Sequence, residues 1–227
     1  MYESGGSVGG GSRRGGGIAG HSAGSFDHSG DRYQYSGRND RYFEHSRQAG
    51  EEEKRMKIER RWSMPNKWTF RIKPIKELLQ QEMTDGLWID PYAGESSPAT
   101  ITNDLNPERP TDYHLQAIDF LKMFDSESVD GVLYDPPYSQ RQVKECYDGI
   151  GIDGWDGRMT FWSDAKNEIA RVVKPGGKVI CFGWNSMGCG AKRGFSMERI
   201  LIVPHGGSRN DTICTVEIKR GEKHGDY

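Results

Sequence analysis

From about residue 54 onward, short apolar runs alternate with longer segments of helical period. Leu87-Trp-Ile89, Ala99-Thr-Ile-Thr102 and Val129-Asp-Gly-Val-Leu-Tyr134 have strand length and residue type. Lys178-Val-Ile-Cys-Phe182 predicts another buried strand. Arg199 to Val203 and Thr212 to Ile218 predict the last two, joined by the turn-rich His205-Gly-Gly-Ser-Arg-Asn-Asp211. Pro74 to Glu82 holds good helix formers, with proline in the first turn where its missing N–H costs nothing. Phe161 to Val173 is amphipathic, with Ala165, Ile169, Val172 and Val173 toward one side, and is expected to stop at Lys174-Pro-Gly-Gly177. Strands alternating with helices predict an α/β fold with a mostly parallel sheet and helices on both faces. Ligands of such sheets sit beyond the carboxyl ends of the strands, where strand order reverses. Asp90 to Gly94, Asp104 to Pro107, Asp119 and Asp135 to Tyr138 all fall near predicted strand ends, so they are expected to converge on one edge.

Composition narrows this picture in a few ways. The chain has 227 residues, enough for one domain and a tail. No segment reaches the ~20 apolar residues of a membrane span, and the first residues lack a signal-peptide core, so a cytoplasmic protein is expected. Residues 1–53 are rich in Gly, Ser and Arg and hold too few aliphatic side chains to offset their ordering entropy. They predict a disordered tail, followed by a domain over 54–220 and a short tail over 221–227. Cys146, Cys181, Cys189 and Cys214 show no metal spacing, so reduced thiols and no metal are expected. The net charge of −2 does not point to nucleic acid. The basic stretch Lys54 to Lys76 meets either phosphates or, with Glu51 to Glu53 and Glu59 interleaved, only solvent.

Candidate chemistry centres on Asp135-Pro136-Pro137-Tyr138. Two prolines end a buried strand abruptly, because neither donates a ladder hydrogen bond. The Asp135 carboxylate and the Pro136 carbonyl then offer adjacent acceptors beside the flat face of Tyr138. That combination suits a planar substrate bearing an exocyclic –NH2 group. The plain alternative is a proline turn with Tyr138 as packing. Asp90-Pro-Tyr-Ala-Gly94 reads as a tight turn where Gly94 permits close backbone approach. Almost no chain separates Gly94 from Thr100, so an irregular loop must replace the usual crossover helix. Asp104 suits either two ribose hydroxyls or an ordinary Asn-Asp turn.

Lys73-Pro-Ile-Lys-Glu-Leu-Leu79, Gly86-Leu-Trp-Ile-Asp90-Pro-Tyr-Ala-Gly94, Asn103-Asp104-Leu-Asn-Pro107, Asp119-Phe-Leu and the Asp-Pro-Pro-Tyr occur in that order. Over roughly residues 62–219 the chain thereby resembles the S-adenosylmethionine-dependent amino-methyltransferases of nucleic acids, in particular the short adenine methyltransferases of bacteriophages. The resemblance implies a Rossmann-like class I methyltransferase fold, shortened after the first strand. It implies S-adenosyl-L-methionine as cofactor, held by Phe70, Lys73, Asp90, Pro91, Tyr92, Ala93, Gly94, Asp104 and Asp119. Asp135, Pro136, Pro137 and Tyr138 would hold and stack an adenine of DNA. RNA adenine, a protein glutamine, or a binding module with a degenerate cofactor pocket are the alternatives. The family's larger members carry a recognition domain that is missing here. The insert Gln140 to Met159, with Arg141, Lys144, Trp155 and Arg158, is the expected substitute, and Trp184, Asn185 and Asn210 lie on the same predicted rim.

Overall fold

Side chains alternate to opposite faces along a strand, and β4 (Val129–Tyr134) is buried on both. Val132 and Tyr134 pack with Phe120, Leu121, Ala165 and Ile169, whereas Leu133 packs with Ile75, Leu78 and Leu79. β5 (Val173–Gly183) repeats the pattern, with Val179 and Cys181 on the first face and Ile180 and Phe182 on the second. A sheet apolar on both sides needs helices above and below. They are α2 (Ala117–Lys122) and α4 (Phe161–Val172) on the first face and α1 (Lys73–Glu82) on the second.

This computed structural model describes residues 55–152, 158–207 and 209–221. The expected tail over 1–53, most of the C-terminal tail and Trp155 lie outside the described residues. Among the described residues, the remaining strands are β1 (Lys57–Arg60), β2 (Trp88–Asp90), β3 (Ile101–Thr102), β6 (Phe195–Val203) and β7 (Thr212–Lys219). Their order in the sheet is β1-β6-β7-β5-β4-β2-β3. β7 runs antiparallel to both of its neighbours, and the other pairings are parallel. This is the expected Rossmann-like α/β fold, and the connection after β2 has no helix. From β2 the chain steps outward to β3, then returns past β2 to β4. Strand order therefore reverses between β2 and β4, where a ligand crevice is expected. No helix among the described residues is long and apolar enough to cross a membrane.

Three elements depart from expectation. The sequence marks β1 only as part of a basic stretch. It joins the sheet edge through backbone pairing with β6, supported by Arg199, whose guanidinium lies 2.7 Å from Glu59 and 2.8 Å from Glu82 at the end of α1. α4 stops at Val172, just before Lys174-Pro-Gly-Gly177 as expected, but those four residues lie within a strand. β5 already begins at Val173, and the four residues loop out between the pairings Val129–Val173 and Gly131–Lys178. Lys174 anchors the excursion 2.7 Å from Asp130. The insert after Tyr138 starts with a helix, α3 (Gln140–Gly149), whose Ser139 cap accepts the Gln142 N–H at 3.2 Å.

Gly131 lets β2 and β4 approach. A β-carbon there would stand 2.5 Å from the Trp88 ring, which is buried and held by its indole N–H on the Thr84 carbonyl. Gly131→Ala is expected to lower unfolding stability by roughly 2–3 kcal/mol through overpacking. Urea titration checks this: the midpoint should fall with an unchanged slope, and an unmoved midpoint would show that Trp88 is not fixed.

Candidate active site

A cavity of about 580 Å³ opens at the carboxyl ends of β2, β3 and β4, within the usual range for a small-molecule site. Its walls include Phe70, Pro91, Tyr92, Ala93, Gly94, Asp104 and Asp135 to Tyr138, so ten of the thirteen expected site residues line it. Asp90 lies below its floor. Lys73 and Asp119 do not line it.

The floor is built on Asp90. Its carboxylate is fully buried and accepts the Tyr92 N–H at 2.9 Å and the Ser97 hydroxyl at 2.6 Å. Both bonds turn the chain back directly after β2. The Ala93 N–H reaches the Asn103 carbonyl, and the Asn103 side chain donates to the Pro91 and Leu115 carbonyls. Burial pushes the Asp90 carboxyl up to about 7 against the pull of these two donors, with Asp135 and Asp104 adding repulsion. Asp90 is therefore a scaffold for the loop Pro91 to Gly94 and does not itself line the cavity.

Gly94 follows with φ +58°, and a β-carbon there would come within 3.1 Å of the Trp68 ring. Its N–H donates to Asp104 Oδ2 at 3.0 Å, while Asp104 Oδ1 accepts the Asn106 N–H at 2.8 Å. Asp104 thus shapes its own turn, as the turn reading expects, and the same residue lines the cavity. Trp68 is flanked by Lys67 Nζ and the Arg109 guanidinium, 4.6 and 5.0 Å from the ring, and Arg109 pairs with Glu95 at 2.6 Å. These contacts tie the loop after β2, the loop after β3 and the segment before α1 together. The Tyr92 hydroxyl is buried and has no hydrogen-bond partner among the described residues, its ring being packed against Tyr134 and Phe161.

At the end of β4 the ladder stops at Tyr134, which pairs with Cys181. The Pro137 carbonyl turns toward α4 and accepts the Trp162 indole N–H at 2.8 Å, and the Tyr138 N–H donates to the Gln142 side chain at 2.7 Å. The bend is thus fixed by α4 on one side and α3 on the other. Tyr138 does not stand free as an open stacking wall: its hydroxyl donates to Asp135 Oδ1, and its ring meets Trp184 edge-on at 5.4 Å. Thr69 lines the same wall of the cavity. Burial raises the Asp135 carboxyl above its ordinary range, opposed by the neighbouring Thr69 and Tyr138 hydroxyls.

Two expected cofactor residues need correction. Asp119 is exposed in the first turn of α2, where a carboxylate favours the helix amide end. Gln116, just before α2, lines the cavity instead and accepts the Tyr147 hydroxyl of α3 at 2.6 Å. Lys73 is exposed as the first residue of α1, and its neighbours Trp68, Thr69 and Phe70 form the wall. Of the rim residues, Trp184 reaches Tyr138, while Asn185 caps its own turn through the Met187 N–H. Arg141 and Lys144 pair along α3 with Glu145 and Asp148 at 2.7 and 2.5 Å. Spacing in the sequence offers no metal cluster, yet the fold gathers Cys181, Cys189 and Glu217 within 4.8 Å. The Glu217 oxygens already accept the Cys189 and Gly190 N–H groups, so the carboxylate anchors the loop after β5.

No protein-family profile and no curated protein matches the chain. Among solved structures it is similar to TrmN from Thermus thermophilus, at 15% identity over 65% of this chain and 49% of that one, with a TM-score of 0.45. It is also similar to the 1,6-didemethyltoxoflavin-N1-methyltransferase of Burkholderia thailandensis, crystallised with S-adenosylhomocysteine (10% identity, 64% and 76% covered, TM-score 0.43). A third is TTHA0409, also of Thermus thermophilus, provisionally named a DNA modification methylase (18% identity, 48% and 54% covered, TM-score 0.33). The chain thus spans about half the length of TrmN and of TTHA0409. Likenesses this distant leave substrate and mechanism to the chain's own residues.

The buried Asp90 carboxyl gives a pH test. A carboxyl raised from 3.8 to about 7 on folding contributes most when protonated in both states, and that contribution is lost as pH rises from about 4 toward 7. Asp90→Asn can keep both bonds, accepting from Tyr92 and donating to Ser97. The stability difference between wild type and Asp90→Asn, followed by urea unfolding at several pH values, should therefore move against wild type across that window. A pH-independent difference would show that Asp90 ionises normally.

Proposed function

We propose that the chain is an S-adenosyl-L-methionine-dependent methyltransferase acting on the exocyclic amine of adenine in DNA. The observation that carries this reading is the shared cavity: Asp104 and Gly94 on one wall, Asp135 and Pro136 on another, at the reversal of strand order. The residues fit the cofactor. The Asp104 carboxylate lines the cavity and would take ribose hydroxyls, and Gly94 leaves room for close backbone approach. The bound donor supplies an electrophilic methyl group on a sulfonium sulfur.

The protein's part is binding and aim. Asp135 and the Pro136 carbonyl accept the two N–H bonds of the amine, which turns its lone pair toward the methyl carbon. A bound donor would give its methyl group to that lone pair and keep the carbon–sulfur bonding electrons, and the surplus proton on nitrogen would pass to solvent. No covalent enzyme intermediate is needed, so positioning and electrostatics dominate. Tyr138 provides an aromatic face for the base, and base stacking contributes about 1–3 kcal/mol. An adenine within a duplex must leave its stack to reach such a cavity. Arg141 and Lys144 are paired on α3, so that helix offers little unpaired positive charge for reading a sequence.

The test is transfer of labelled methyl from S-adenosylmethionine to unmethylated DNA, RNA or protein, followed by digestion and identification of the product. N6-methyladenine from DNA is expected. Label in RNA alone or in protein would reassign the substrate, and no label with any substrate would leave a binding module. Asp135→Ala should lose ~10²-fold or more in rate, about 3 kcal/mol, while calorimetry shows cofactor binding retained. Asp104→Ala should show the opposite, weakened cofactor binding. Undiminished affinity in that variant would remove the ribose role.

A further inference from the structure

The outer edge of the sheet carries an apolar stripe that the candidate site does not use. Met56, Ile58, Trp62 and Met64 are each between 46% and 67% exposed. From Glu59 to Pro65, half-buried and exposed residues alternate strictly. The four apolar side chains and Arg60 therefore point to one face of an extended run through β1. Register carries that face inward: Ile58 stands beside Ile200, Arg60 beside Ile202, and Ile213 of β7 beside Ile202. These three isoleucines of β6 and β7 are only half-buried and belong to neither core cluster. A contiguous apolar patch of this kind marks an interaction surface.

We infer that this edge is a homodimer interface, in which β1 pairs antiparallel with β1 of a second copy about a two-fold axis at Arg61. The inference stands apart from the methyl-transfer reading. The backbone at the edge is open for such pairing. Among the described residues β1 pairs only with β6. The Arg61 and Ser63 N–H groups donate inward, to the Ile202 and Pro204 carbonyls. Backbone groups alternate in direction along a strand, so those of Ile58, Arg60, Trp62 and Met64 point outward, a row that templates another strand.

The stripe also complements itself. A two-fold axis at Arg61 sets Arg60 opposite Trp62 of the second copy and Ile58 opposite Met64, each twice. A cation then meets an aromatic face, and each aliphatic side chain meets another apolar one. Pro65 falls opposite Lys57, at a pair that exchanges no hydrogen bonds, so its missing N–H costs nothing there. Arg61 meets its own counterpart at the axis, with its charge already paired to Glu77 of its own chain at 2.6 Å. Lys57 is likewise paired, 3.1 Å from Glu59. Arg60 is the one basic residue on the stripe itself, so the face suits an apolar partner better than a phosphate backbone.

The test uses the full chain. Size-exclusion chromatography with light scattering at micromolar concentration should give twice the chain mass. Ile58→Lys places a charge opposite Met64 and should give a monomer with an unchanged circular-dichroism spectrum, since Ile58 is exposed. Trp62→Ala should raise the dimer dissociation constant roughly tenfold, because two contacts with Arg60 are lost. The register has its own test. Arg61→Cys, in a Cys146→Ser background that removes the exposed native thiol, puts two thiols on the axis. Their α-carbons stand about 4.5 Å apart, within reach of a disulfide. Mild oxidation should cross-link Arg61→Cys and leave Glu59→Cys, which lies opposite Ser63, uncrosslinked. A monomeric wild type, a dimer that survives Ile58→Lys, or cross-linking of Glu59→Cys in place of Arg61→Cys would overturn the inference. A monomer that loses oligonucleotide binding in Trp62→Ala would overturn it in favour of nucleic acid. A monomer with the stripe protected from hydrogen exchange would overturn it in favour of the chain's own preceding residues.

Discussion

Two parallel neighbours, β2 and β3, are joined by only ten residues, Pro91 to Thr100, and the candidate site depends on how that span is closed. A parallel connection ordinarily spends a dozen or more residues, usually on a helix. Here β2 and β3 are two or three residues long, so the chain has little length to recover. The buried Asp90 carboxylate does the folding back, holding Tyr92 with one oxygen and Ser97 with the other. Asn103 then stitches the returning chain to Pro91 and Leu115. With no helix in the way, Gly94 comes within a hydrogen bond of Asp104, and the two sit side by side on the cavity wall.

The same economy shapes the other wall. Asp135 to Tyr138 leave the sheet one strand away, and two separate elements hold the bend: Trp162 of α4 and Gln142 of α3. Each contact is polar and directional, and each comes from an element packed on the core or capped at its start. A bend held this way on rigid supports is what the proposed grip on an amine requires. Its carboxylates also suit a positively charged donor, since Asp104 and Asp135 line the cavity and Asp90 lies beneath it.

Much of this was legible in the residues. The apolar run of β4 ends at Tyr134 because Pro136 and Pro137 follow, and Ala165, Ile169 and Val172 do form the buried stripe of α4. What could not be read depends on partners far away in sequence. β1 has a single aliphatic residue, Ile58, which remains 59% exposed, so its place in the sheet comes from backbone pairing and from Arg199. α3 does carry a local signal, the Ser139-x-x-Gln142 capping pattern, set in a segment otherwise too polar to suggest a core helix. Asp119 is a cofactor ligand only by analogy, and helical phase puts it outward. The resemblance points to the segment before α1 through Phe70 and Lys73, but nothing local to Trp68 and Thr69 marks those two as cavity-lining.

A crystal structure with S-adenosylhomocysteine and adenosine would test the central claim most directly. It should show ribose hydroxyls of the cofactor on Asp104, its thioether beside Gly94, and the amine of the free adenosine between Asp135 and the Pro136 carbonyl. A cofactor lodged away from this wall, or the nucleoside bound away from Asp135, would contradict it.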